Sequence, residues 1–201
     1  MSRAGKFNAY TSRFESSFLS CEKDTEAIIK KLFVDSRPYS DDLRRLLLVN
    51  TSDCLTDITN TEYKKKIQET SLKDMFNEGY IKLVPRIEQQ ENEEQKSFIV
   101  ITYDNFIPTD NHYYRDCTIM IDIISHLDCW EMDNYMIRPL KIAGYIDGIL
   151  NESKLSGIGT LQFAGASEIT FAPNLSGYCL IYKATHGADD VIPIDDGEED
   201  E

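Results

Sequence analysis

The sequence predicts an α+β protein: N-terminal helices, then a mainly antiparallel β-sheet in the order β-β-β-α-β-β with one helix packed on it. Three observations lead there. Apolar residues recur at helical spacing as far as Asn77. From Tyr80 onward, apolar and polar residues alternate in runs rich in Ile, Val, Thr and Tyr. One stretch among those strands, residues 139–150, opens with a proline and keeps a helical face.

Residues 1–23 read as an N-terminal arm, with Phe7, Tyr10, Phe14 and Phe18 among Ser, Gly and Asn and no clear period. Such an arm lies either on its own domain or on a neighbour's surface. Asp24 to Val34 is helical, with Ala27, Ile28, Lys31 and Leu32 at i, i+1, i+4 and i+5, and it must end before Pro38. Ser40, Asp41 and Asp42 open a second helix as cap and first-turn acids, and Leu43, Leu46 and Leu47 form its buried face. Shorter helices cover Thr61–Gln68 and Ser71–Asn77, with Gly79 as a C-terminal cap.

The strands follow. Tyr80–Ile87 alternates around Pro85, which marks an edge or bulge, and Glu88–Lys96 is a polar loop. Ser97–Tyr103 and Arg115–Ser125 are β-rich, with Cys117, Ile119, Ile121 and Ile123 on one face of the second. Between them Asp104–Tyr114 reads as a polar connection too long for a tight hairpin. In the helix 139–150, Gly144 and Gly148 fit close approach to the sheet. Thr160–Phe163 and Ile169–Phe171 form a strand interrupted at Gly165, and Gly177–Thr185 is the last. Residues 24–187 thus form one domain, a helical preface 24–79 and a sheet portion 80–187, followed by an acidic tail 188–201.

Composition narrows the function. The 201 residues are 41% hydrophobic and 28% charged, the balance of a globular protein with a core of its own. No apolar run is long enough to span a bilayer, and the first segment lacks the apolar stretch of a signal peptide. Five scattered cysteines without a CxxC pair read as reduced thiols rather than a disulfide framework or zinc site. The net charge of −14 opposes nucleic-acid wrapping and anionic membranes. That charge is uneven: residues 1–87 hold 15 Lys/Arg against 13 Asp/Glu, and eight acids stand in the last thirteen residues. The tail reads as solvated, or as anchored by a partner's basic groups.

The chain carries no phosphate loop, dinucleotide fingerprint, HExxH or GxSxG motif. His112, His126 and His186 lack metal-ligand spacing, so neither metal nor cofactor is expected. Asp122, His126 and Cys129 could form a small hydrolase centre; the plainer reading puts Asp122 on a solvent or interface face of the sheet. Lys64, Lys65 and Lys66 read as a solvated helix face. The aromatic content of Asp104–Asp116 and Asp128–Pro139 points instead to protein contacts, with Phe106, Tyr113, Tyr114, Arg115, Trp130 and Tyr135 as candidates. For Trp130 a core role and an interface role stand side by side.

The blocks SFIVITYDNFIPTDNHYYRDCTIMIDI and IRPLKIAGYIDGIL, closing on YKATHG, resemble the tail-terminator or tail-completion proteins of tailed bacteriophages over Tyr80–Gly187. The helical preface KKLFVDSRPYSDDLRRLLL is similar to proteins of the same phage set but lies outside a general terminator pattern. The resemblance implies a non-enzymatic virion subunit, assembled in the host cytoplasm, that forms a hexameric ring at the neck. Its partners would be the tail-tube protein and a head-side connector or stopper. Double-stranded DNA would pass through the lumen without specific binding, past an acidic wall that offers it no adhesive patch. A baseplate or other tail adaptor is the alternative within the same class.

Overall fold

The computed structural model describes residues 17–84, 94–110, 114–155 and 159–187. The arm aromatics Phe7, Tyr10 and Phe14, the contact candidate Tyr113, His112 and the acidic tail lie outside the described residues. The first helix, α1, spans Ser17–Lys30 and so begins inside the stretch read as an arm. It continues as a wider π-helical turn over Lys31–Asp35, which buries Leu32 and Phe33. Next, α2 spans Tyr39–Leu48, one residue earlier than Ser40 would place it. Ser40 does not cap this helix: its buried hydroxyl accepts the Ser36 N–H at 3.2 Å, while Asp41 and Asp42 do occupy the first turn. The two short helices are capped from the sequence. The Asn60 side chain accepts the Glu62 and Tyr63 N–H groups to open α3, Thr61–Glu69, and Ser71 with Asp74 forms a capping box for α4, Leu72–Asn77. Gly79, at φ +74°, closes α4 in the left-handed conformation.

Five strands make the main sheet, in the order β1-β2-β3-β9-β8. They are β1 (Ile81–Lys82), β2 (Ser97–Pro108), β3 (Tyr114–His126), and, after the short pairs β4 (Glu131–Met132) with β5 (Met136–Ile137) and β6 (Lys154–Leu155) with β7 (Gly159–Thr160), β8 (Gln162–Ala172) and β9 (Leu175–Gly187). Every pairing is antiparallel except β1 with β2, where Ile81 and Lys82 run parallel to Ile99 and Val100. Of the strand expected over Tyr80–Ile87, the described residues pair at Ile81–Lys82; Pro85, Arg86 and Ile87 lie outside the described residues. Conversely, part of the connection expected over Asp104–Tyr114 is strand, Asp104–Pro108 on one side and Tyr114 on the other, while residues 111–113 lie outside the described residues. β2 runs on to Pro108 past a bulge between Asp104 and Ile107. The interruption read at Gly165 is likewise a bulge within one continuous β8.

The core lies between one sheet face and the helices. Ile99, Ile101, Ile119, Ile121, Ile123, Leu180 and Tyr182 meet Ile28, Leu32, Leu43, Leu46 and Leu47 of the preface. From α5, Arg138–Leu150, come Ile142, Ile146 and Leu150. α5 touches β3 and β9 as expected, and α2 packs beside it and reaches β2, so the preface belongs to the same helical layer. Gly144 and Gly148 point away from that layer, exposed, with open space where a side chain would stand; they are not packing glycines. The opposite sheet face carries a second buried cluster, Phe98, Val100, Ile124 and Leu175.

One glycine is demanded by contact. A Cβ at Gly177 in β9 would stand 1.8 Å from the Ile123 carbonyl oxygen of β3. Backbone at the sheet centre cannot yield as a flexible side chain does, so Gly177→Ala is expected to cost about 3 kcal/mol. Urea unfolding is the check: an unchanged midpoint would show that β3 and β9 separate there freely.

Candidate interaction surface

Arg138, the first residue of α5, is the largest fully buried side chain and has no carboxylate partner among the described residues. Its guanidinium is held by backbone carbonyls instead. Nε donates to Cys129 O at 2.8 Å, Nη1 to Leu46 O and Val49 O at 2.8 Å, and Nη2 to Thr51 O at 2.7 Å. Leu46 and Val49 mark the C-terminal end of α2, where unpaired carbonyls concentrate partial negative charge. A cation at the start of its own helix sits at the wrong end of that dipole; Arg138 is there to serve α2. The planar, forked donor set suits several carbonyls at once, which a lysine cannot match.

What Arg138 anchors is a small hairpin. Between Cys129 and α5 the chain forms β4 (Glu131–Met132) and β5 (Met136–Ile137), with Glu131 opposite Ile137 and Met132 opposite Met136. The Asp133 N–H donates to Ser52 O at 3.0 Å, and Thr56 Oγ1 donates to the Asp133 carboxylate at 3.2 Å, pinning the hairpin to the Thr51–Asn60 loop. At its tip Asn134 and Tyr135 both have φ +60°, and the Met136 N–H bonds Asp133 O. Two successive positive φ values make a primed turn, usual for Asn and strained for a tyrosine. The Tyr135 ring is fully exposed. Leu127, Ile137 and Leu140 on the same stretch, and Ile58 on the supporting loop, are also exposed. A turn that presents a strained aromatic beside exposed apolar neighbours is a candidate for protein contact.

A second exposed feature is β8. None of its eleven residues is buried, Glu168 is its only charge, and β9 is its sole strand partner among the described residues. Near its start the Asn151 side chain accepts the Phe163 N–H at 3.1 Å; beyond that the outer edge has no proline or lysine to discourage pairing.

The other contact candidates fall apart spatially. Phe106 is half-buried against the core and stacks on Tyr103 at 6.3 Å. Tyr114 and Arg115 lie on β3, Tyr114 opposite Gly187 and Arg115 opposite Pro108 and His186, and Arg115 is half-buried. Trp130 is half-buried and spends its indole N–H on Ser125 O at 3.2 Å, so its polar end serves the fold. Arg138, Leu127, Ile137 and the β8 edge were not among the candidates. The signal for Arg138 was a cation standing immediately before the proline that opens a helix.

The YomW family model matches residues 40–184, from the start of α2 almost to the end of β9. The chain belongs to the YomW family. The family bears a prophage-type name, which makes the chain phage-related. No curated protein matches it.

In this YomW-family chain the residues once grouped as a hydrolase centre each have structural work. Asp122 is buried rather than solvent-facing, because both faces of the central strands are covered, and it hydrogen-bonds Cys179 across β3 and β9. His126 Nδ1 accepts the Asp128 N–H at 3.2 Å within its own turn. Burial raises the Cys129 thiol above its ordinary value despite the nearby Arg138 cation, and raises Cys54 likewise. Cys179 is pushed up to about 12 by burial, then by its bond to Asp122. Thiols held protonated are poor nucleophiles.

Two outcomes follow from this geometry. Arg138→Met leaves four carbonyls without a donor, and Arg138→Lys supplies too few donors in the wrong plane. Losses of about 3–5 kcal/mol for Met and less for Lys are expected in urea titrations. Equal stability of all three proteins would remove the anchor role. For Asp122, burial raises the carboxyl above its ordinary value. The folded chain therefore keeps a proton that the unfolded chain releases first, and stability falls as pH climbs through the raised value. Asp122→Asn is expected to melt higher than the parent at pH 7, with the gap closing below the usual carboxylate range. A gap independent of pH would rule this out.

Proposed function

We propose that the chain is a structural virion protein of a tailed phage, a ring-forming tail-terminator or head–tail neck subunit. It closes the tail tube and joins it to the head-side connector, without catalysis, cofactor or metal. The observation that carries the reading is the pairing-ready edge of β8 in a phage-related chain. Such an edge extends its sheet into a neighbour, and identical head-to-tail contacts close into a ring, here a hexamer, when the rotation permits. The Tyr135 turn supplies a side-chain contact for the tail tube or connector. A net charge of −14 suits a lumen through which double-stranded DNA slides without binding. The acidic wall would sit in the virion neck, after assembly in the host cytoplasm. No described helix is long and apolar enough to cross a membrane, and no membrane partner belongs to the proposal.

The test is a phage carrying this chain with a small gold-binding tag, imaged by electron microscopy. Label at the head–tail junction supports the neck; label at the tail tip supports the alternative, a baseplate or tail adaptor. In the same phage, Tyr135→Gly relieves left-handed strain of about 1 kcal/mol while removing the exposed ring. The variant protein is expected to melt higher yet leave heads and tails unjoined. Normal infectivity would strike the Tyr135 turn from the interface.

A further inference from the structure

Positive charge on this acidic chain gathers in a cleft of about 460 Å³ between α2 and the α3–α4 pair. Arg37, Arg44, Arg45 and Lys64 line it, against a single acid, Asp41. Arg44 is fixed in place: its Nη2 donates to Ile67 O at 2.9 Å and to Thr70 O, closing the end of α3. Arg45 is 8% exposed, yet only its Nη1 reaches a partner, Cys54 O at 3.5 Å. The Arg45 Nε is buried without a partner among the described residues. Arg37 leans on Asp41 at 3.6 Å as an exposed pair, which contributes little. Burial is the main cause that lowers Arg44; Asp41 opposes it, and the like charge of Arg37 adds to it. Four cations thus share one carboxylate in a concave, partly dry setting, where a further anion would be held by charge-assisted hydrogen bonds.

We propose that this cleft is a binding site for an acidic peptide, and that the chain's own C-terminal stretch DDGEEDE, Asp195–Glu201, from a second copy is its occupant. The charge complementarity is direct: the cleft has three more cations than anions, and six of those seven residues are acidic. Planar guanidiniums pair with carboxylates in a two-pronged fashion. A cleft of this volume accepts side-chain carboxylates singly. The site stands apart from the β8 edge and the Tyr135 turn, so it can hold whether or not the chain forms the phage neck.

The experiment titrates a fluorescein-labelled peptide DDGEEDE with the full-length protein and reads anisotropy at low and at physiological salt. Saturable binding is expected, weakened at least tenfold in Arg37→Glu/Lys64→Glu and weakened again by salt. Both positions are exposed, and circular dichroism checks that the double variant is folded; Arg37→Gln/Lys64→Gln gives a milder version of the same loss. To identify the source, the parent is mixed with a full-length variant whose six tail acids are Asn or Gln. Only the parent's tail should cross-link to the cleft of the other copy. Absence of binding, equal affinity in the charge-reversed protein, or cross-linking confined to single chains would overturn the proposal. Tighter, competitive binding of a short duplex DNA would overturn it in favour of nucleic acid.

Discussion

A buried guanidinium without a carboxylate is the constraint around which this molecule is organised. Desolvating a cation is costly unless each donor finds an acceptor. Arg138 satisfies that demand only where the end of α2, the Thr51 loop and the Cys129 turn converge. The end of α2 and the Thr51 loop are one stretch, residues 46–51, and the Cys129 turn lies far from it in sequence, so Arg138 fixes the two relative to each other. The same set of bonds orients α5 on β3 and β9 and aims the β4–β5 hairpin outward. A helix end, a loop and a hairpin are thereby held by one side chain.

The sheet distributes its two faces unequally. One face is packed by α1, α2 and α5 over a continuous aliphatic core; the other carries a smaller cluster and the Asp122–Cys179 bond. Toward the edge strand β8 this coverage fades: none of its residues is buried, and Ile169 and Ala172 are only half-covered by the second cluster. An edge strand with a single charge among eleven residues is open to pairing with another chain. Tyr135 is the counterpart in local conformation. Its positive φ places an exposed side chain in a conformation that favours glycine.

Charge adds a third layer. The acidic tail and the Arg37–Lys64 cleft sit at opposite ends of the charge range in one chain. Exposed charges act over about a Debye length, some 8 Å at physiological salt, so they select partners at close range rather than define the fold. Surface pairs such as Glu26–Lys30 add little to stability, which rests instead on packing and on Arg138.

Local chemistry was enough to determine the α+β class, the strand cores, the Pro139 helix start and the Gly79 cap, because each depends on periodicity or on a residue's own backbone preference. Other features depended on partners distant in the chain. Ser40 looked like a cap, but Ser36 claimed its hydroxyl; the Asp104–Tyr114 connection looked like a loop until β3 supplied a ladder for part of it. Phe106 was drawn into the core by Tyr103, and Gly144 and Gly148 faced solvent because Ile142 and Ile146 took the sheet side. Arg138 is the plainest case. Sequence shows a lone cation before a proline, while its role exists only where carbonyls from two separate stretches, residues 46–51 and Cys129, meet, and that meeting is a property of the tertiary structure.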